Sequence, residues 1–167
     1  MDKIITISRE YGAGGHSIGQ QVAKELGIPF YDRDILKATV QTSGFDPDMV
    51  EHDQEDVSST NFFFKSICSF ADASFSDTQD AIHDVQKAVI LHFAKEGPCV
   101  ILGRCGDYVL RERKDVLRVF VYAPKEWRLQ YAKTNPLVKA KDEKGIKDEV
   151  EKTDRNRSAY YNYYTQN

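Results

Sequence analysis

Residues 4–31 read IITISREYGAGGHSIGQQVAKELGIPFY, and this stretch decides the fold. Lys3 to Ser8 is short and rich in Ile and Thr, the composition of a buried strand. Glycines follow at 12, 14, 15 and 19. Ile18, Val22 and Leu26 then recur every four residues, which predicts a helix with that face on a core, ended by Gly27. Ile28 to Tyr31, with Pro29 near its start, predicts a second strand. Strand, glycine turn, helix and strand make a βαβ opening, the start of an α/β protein on a parallel sheet.

The chain beyond continues in kind. Asp32 to Thr42 reads as a helix closed near Gly44 and Pro47. From His52 to Asp80 acids and serines surround Phe62, Phe63 and Phe64, which read as core packing or as a lid or dimer contact. Ser76 with Gln79 resembles a capping box before a helix striped by Ile82, Val85, Val89 and His92, stopping before Gly97-Pro98. Cys99–Leu102 and Leu117–Tyr122 are the third and fourth expected strands. Lys125 to Lys152 is strongly charged, with Pro136 and Gly145 as breakers, and reads as a mobile helical arm. The end, TDRNRSAYYNYYTQN, gathers Tyr160, Tyr161, Tyr163 and Tyr164, which read as docking the arm or wrapping a base, with plain packing the commoner use of such a run.

Bulk properties narrow the classes. At 167 residues and 41% hydrophobic, the chain has the size and apolar content of one domain with one core. Its 23 basic and 26 acidic residues leave a net charge of -3, which argues against holding nucleic acid by bulk electrostatics. No apolar run approaches the about 18 residues of a membrane span. The start, MDKIITISREY, carries no signal-peptide pattern. Cys68, Cys99 and Cys105 are odd in number without a CxxC pair, so neither disulfides nor a zinc knuckle are expected. A cytoplasmic protein with no nucleic-acid or membrane partner is the expectation.

A glycine-rich turn from a strand into a helix aims backbone N–H groups at one spot, and the helix N-terminus adds partial positive charge. Such a spot binds an anion, although glycines after a strand can also make only a tight turn. Ser17 falls in the first helical turn, where a hydroxyl reaches a phosphate or magnesium, with Arg9 and His16 nearby. The pattern GxxxxGK[ST] is not met, because no lysine follows the glycines. GxGxxG fits at Gly12 and Gly14 and fails where Ser17 stands. At the end of the second strand, Asp32 is placed to hold a magnesium-bound water and Arg33 to meet an acceptor phosphate; a solvated helix start is the other reading.

Residues 4–36, together with VILGRCGDYVL at 100–110 and TDRNRSAYYNYYT at 153–165, resemble the cytidylate kinase-like family of P-loop proteins. The resemblance implies a three-layer P-loop NTPase-like fold, one nucleoside-monophosphate-kinase-like domain over 1–167, with 125–160 as a lid-like arm. The family's loop GxxGxGKGT falls on Arg9 to Ser17: Gly12 and Gly14 keep their places, Gly15 stands for the lysine, His16 for a glycine and Ser17 for the metal-holding threonine. Gly12, Ala13, Gly14, Gly15, His16 and Ser17 would then cradle phosphate, and Ser17 and Asp32 would hold Mg2+. Arg9 is the candidate replacement for the missing lysine. Arg104, after the third strand, resembles the arginine that grips the monophosphate, but the acids that flank it in the kinases are here Leu102 and Cys105. Arg128, Arg155 and Arg157 resemble lid arginines that close over phosphates; a charged helix face is the plainer account. Cys105 has no matched His and acid to make it a nucleophile, and His16, His52, His83 and His92 show no metal spacing.

The implied activity is phosphoryl transfer from ATP, with Mg2+, to a nucleoside monophosphate, cytidylate-like by resemblance. The alternative is a non-catalytic nucleotide or phosphate sensor, and a third reading is a protein that dimerises through its Phe and Tyr clusters. The family's sheet has a fifth strand after the lid, whereas this sequence ends at Asn167. Either the sheet has four strands or a C-terminal tail is lacking; the second is expected, because a lid at a chain end would be poorly anchored.

Overall fold

The computed structural model describes residues 3–32, 78–134, 138, 140 and 142–166. β1 (Ile4–Arg9) is the Ile/Thr strand, with Ile4, Thr6 and Ile7 almost wholly buried. α1 (Gly15–Leu26) returns the chain to β2 (Phe30–Tyr31). Then come α2 (Thr78–Glu96), β3 (Val100–Leu102), the short α3 (Gly106–Val109) and β4 (Val116–Val121). α4 (Lys125–Thr134) and α5 (Glu143–Thr165) complete the described chain. The expected helix over 32–42, the Phe62–Phe64 run, Cys68, Ser76, the side chains of Ile82 and Val85, and Arg33 lie outside the described residues.

Among the described residues the sheet is four-stranded and parallel, in the order β2-β3-β1-β4. Register aligns Ile7 with Leu102 and Arg9 with Val121, so the carboxyl ends of β1, β3 and β4 share one edge. Alternation along the strands divides the core into two layers. Ile4 and Ile101 meet Val89, Ile90 and Ala94 of α2, while Ile5, Ile7, Val100 and Leu102 meet Ala23 of α1. The result is the three-layer architecture of P-loop NTPases, with helices on both faces of a short parallel sheet. Among the described residues no helix is long and apolar enough to cross a membrane.

Three local expectations are corrected. α1 buries Gly15, Gly19 and Ala23, whereas Ile18 and Leu26 are 43% and 45% exposed. The helix lies so close to the sheet that a Cβ on Gly19 would stand 2.6 Å from the Phe30 ring, so its smallest residues face inward. Among the described side chains of α2, Gln86, Val89, Ile90 and Ala94 are buried and His92 is exposed, so the expected stripe keeps Val89 and loses His92 to the face that follows 86, 89/90 and 94. Gly145 breaks nothing: it lies in the first turn of α5, its N–H donating to Asp142 Oδ2 at 3.3 Å.

α5 runs on unbroken and is anchored at its far end. Ile146 and Val150 pack on Ala132 of α4. Tyr160 O–H donates to Gln86 Oε1 at 3.2 Å, and Tyr161 O–H to Asp107 Oδ2 at 2.8 Å. Burial, with the Asp107 carboxylate beside it, pushes the Tyr161 phenol up to about 12, so it stays a donor.

Candidate phosphate-binding site

Glu10 N–H donates to Val121 O at 3.0 Å, carrying β1 one residue past its end. The chain then turns through Gly12 (φ 75°) and Gly14 (φ 81°), left-handed conformations that glycine adopts without steric cost. Gly14 caps α1 with no side-chain cap bond, and the first turn holds no acid. The first N–H groups of α1 therefore have no side-chain cap from Gly14, the arrangement in which a helix N-terminus can take up an anion.

The root of Arg9 leaves no room for a side chain at Gly15. A Cβ on Gly15 would stand 2.7 Å from Arg9 Cβ and 2.9 Å from Arg9 Cγ, distances that real side chains do not tolerate. The anchored root of Arg9 thus occupies the space where a lysine at 15 would begin. In the loop GxxGxGKGT the first position is glycine and the seventh lysine; here the first is Arg9 and the seventh Gly15. A cationic residue thus stands at the loop's first position and none at its seventh.

Behind the loop, Arg128 of α4 is only 8% exposed. Its Nη1 donates to Tyr11 O at 3.2 Å and to Asp154 Oδ2 at 2.5 Å, while Nε makes an ion contact with Glu10 Oε2 at 3.3 Å. Asp154 Oδ1 accepts from Tyr11 N–H at 2.7 Å, and Arg157 Nη1 donates to Arg9 O at 3.4 Å. A Cβ on Gly12 would meet the Arg128 carbonyl oxygen at 3.0 Å. So α4 and α5 grip the outside of Arg9–Gly12, and the Arg128 guanidinium is committed to that grip. Arg157 joins it, its guanidinium 5.5 Å from the Tyr11 ring. Arg155 turns outward, 69% exposed, with Nη1 3.9 Å from Glu151.

Arg104 sits at the same sheet edge. Gly103, Arg104 and Cys105 are all left-handed, at φ 75°, 55° and 54°. Such a conformation costs a non-glycine residue about 1–2 kcal/mol, and two in succession are rare. Gly103 N–H on Ile7 O (2.9 Å) and Gly106 N–H on Gly103 O (3.0 Å) hold the strained turn beside the end of β1. Cys105 is buried, at 4% exposure, and so is closed to a nucleophilic role. Asp32 directly follows β2, its Oδ2 3.4 Å from His16 Nε2, and Ser17 lies exposed in the first turn of α1.

Residues 4–167, nearly the whole chain, match the cytidylate kinase-like family. The chain belongs to that family. No curated protein matches it in sequence. Among solved structures, an uncharacterized protein from Eubacterium ventriosum ATCC 27560 is 21% identical with a TM-score of 0.68, the match covering 99% of this chain and 80% of that one. A shikimate kinase from Bacteroides thetaiotaomicron is 12% identical with a TM-score of 0.56, covering 96% and 82%. At these identities the two structures speak for the fold alone. Family and fold together place the chain among P-loop, nucleotide-kinase-like proteins, which implies a nucleotide ligand.

Sequence reasoning singled out Arg9, Gly12–Ser17, Asp32 and Arg104, and the fold brings all of them to one edge. It missed Glu10, Tyr11 and Asp154, whose roles lie in contacts across more than a hundred residues of chain. Part of the signal was present. Ile146, Val150, Asp154 and Arg157 recur at helical spacing, one stripe crossing the supposed border between arm and tail. As to magnesium, Ser17 and Asp32 supply the hard oxygens it takes, and Mg2+ is usually held by one or two protein groups plus phosphates. The lack of a cluster of three or more His, Cys, Asp or Glu among the described residues therefore does not conflict with it.

Proposed function

We propose that this family member transfers the γ-phosphoryl group of ATP to a nucleoside monophosphate, with cytidylate the first acceptor to try, in the cytoplasm. The observation that supports this reading is the packing of the Arg9 root against Gly15, 2.7 Å from where a Cβ there would stand, which sets a cationic residue beside the position where the family's loop has its lysine. The loop of residues 12–17 holds the β- and γ-phosphates through its backbone N–H groups other than that of Ala13, which donates to Glu10 O at 3.3 Å. Arg9 donates to the non-bridging oxygens of the group in flight, where negative charge must be stabilised. Arg104 clamps the acceptor phosphate through two parallel N–H bonds, the geometry for which a guanidinium is suited. Arg33, Arg155 and Arg157 are further candidates for neutralising phosphate charge. Arg128 positions the loop from behind. The acceptor phosphate oxygen attacks the γ-phosphorus as the bond to the β–γ bridging oxygen breaks, which leaves ADP. Mg2+ held by Ser17 and Asp32 would neutralise charge shared by the β- and γ-oxygens.

One feature favours a second reading. Gly15 has no cation of its own, and a guanidinium is a rigid fork rather than a mobile point charge, so the site would bind nucleotide without turnover. A panel of nucleoside monophosphates with ATP and magnesium, followed by ADP release, separates the two. Release with at least one acceptor above the no-acceptor rate supports transfer. ATP binding without turnover of any acceptor supports the sensor.

A further inference from the structure

Trp127 is the only tryptophan of the chain and is 51% exposed. Tyr131, one helical turn on, is 38% exposed, and the two rings lie nearly parallel at 15° with centroids 5.7 Å apart. The buried residues of α4 are Arg128 and Ala132, so this pair lies off the side that α4 packs inward. Its place is specific. Trp127 Cη2 lies 3.9 Å from where a Cβ on Gly14 would stand, and Ile18 Cδ1, on a residue 43% exposed, lies 3.9 Å from the same point. Exposed apolar groups therefore border the residue that caps the anion-binding end of α1.

A bare phosphate or sulfate gains nothing from an indole beside it. The two halves of this surface ask for one ligand with an anionic end and a flat, apolar end. A nucleoside polyphosphate has both, covalently joined. We infer that Trp127 and Tyr131 form a stacking platform for the base of the nucleotide whose phosphates lie on residues 12–17. The inference rests on the nucleotide reading above and adds where the base goes and how it is recognised. Stacking uses the π-face common to all bases, so the platform accepts purines with little distinction between adenine and guanine.

Because Trp127 is the single tryptophan, its fluorescence reports on the platform directly. The full chain is titrated with ATP, GTP and inorganic tripolyphosphate, with affinities measured by calorimetry and emission recorded in parallel. The expected result is that all three bind and only the two nucleotides quench the indole. Trp127→Ala should weaken ATP and GTP roughly tenfold to a hundredfold and leave tripolyphosphate within about twofold, while Trp127→Phe retains most of the nucleotide affinity. Both side chains are substantially exposed, and Tyr131→Ala gives a second, independent test of the same loss. Equal ATP affinity in wild type and Trp127→Ala, without quenching, would overturn the platform and leave the nucleotide reading standing. An equal loss for ATP and tripolyphosphate would also overturn it, by showing that Trp127 only supports the loop. Failure of the wild type to bind any of the three would remove the nucleotide reading itself, and the platform with it.

Discussion

Placing lysine at position 15, with and without glycine at position 9, sets the two cation positions of the loop against each other. In Gly15→Lys alone, the new Cβ would lie 2.7 Å and 2.9 Å from Arg9 Cβ and Cγ, atoms too near the backbone to swing aside. Overpacking of this kind costs about 1–3 kcal/mol. Lysine is a better helix former than glycine by several tenths of a kcal/mol or more, which offsets part of that. A net loss of roughly 1–2 kcal/mol corresponds to about 2–8 °C in melting temperature for a domain of this size. Arg9→Gly alone removes the transferring group's proposed donor and should lower kcat about 10²–10³-fold, the scale for one preorganised oxyanion donor. In the double variant the collision is gone and one cation is back in the loop. It should melt above Gly15→Lys and turn over at least tenfold faster than Arg9→Gly. The assays are thermal melting and coupled ADP release, arranged as a double-mutant cycle. Additive effects, with the double variant as poor as the singles combined, would refute mutual exclusion of the two side chains.

Three other outcomes follow from the same geometry. Arg128→Met leaves Glu10 and Asp154 without their shared guanidinium; because these carboxylates keep 31% and 27% of their exposure, the loss should fall below that of fully buried pairs, at about 1–3 kcal/mol in urea melts, and no loss would contradict the grip on the loop. Arg104→Gly relieves left-handed strain of about 1–2 kcal/mol at a glycine entropy cost of about 0.5–1 kcal/mol, so stability should hold or rise slightly while the acceptor KM rises at least tenfold; an unchanged KM would remove Arg104 from acceptor binding. Burial pushes the Cys99 thiol from an ordinary 9.0 up to about 11, so its contribution is fully present below pH 9 and is lost as pH rises towards 11; urea midpoints should fall less steeply over that window in Cys99→Ala, and parallel slopes would refute it.

The βαβ opening could be read from the sequence because strand composition, glycine placement and helical spacing all point the same way over residues 4–31. The inward face of α1 could not. Apolar periodicity favours Ile18 and Leu26, yet the close approach to Phe30 admits only Gly15, Gly19 and Ala23 there. α5 was obscured by its charge: a helix whose inward stripe passes from Ile146 and Val150 into Asp154 and Arg157 has no continuous hydrophobic face to recognise. The glycine loop stood out in local sequence, and so did the vacancy at Gly15. Why Gly15 is glycine did not, because the answer is a contact with the root of Arg9 that only the turn between them creates.

Single-turnover transfer at saturating ATP, in wild type and Arg9→Ala, tests the role of Arg9 most directly, with the best acceptor from the monophosphate panel. ATP affinity is measured alongside. The rate of ADP formation should fall about 10²–10³-fold in Arg9→Ala while ATP affinity changes by less than about tenfold, as expected for a group that acts mainly on the transition state. Equal rates in the two proteins would contradict it, and the loop would then need its cation from elsewhere.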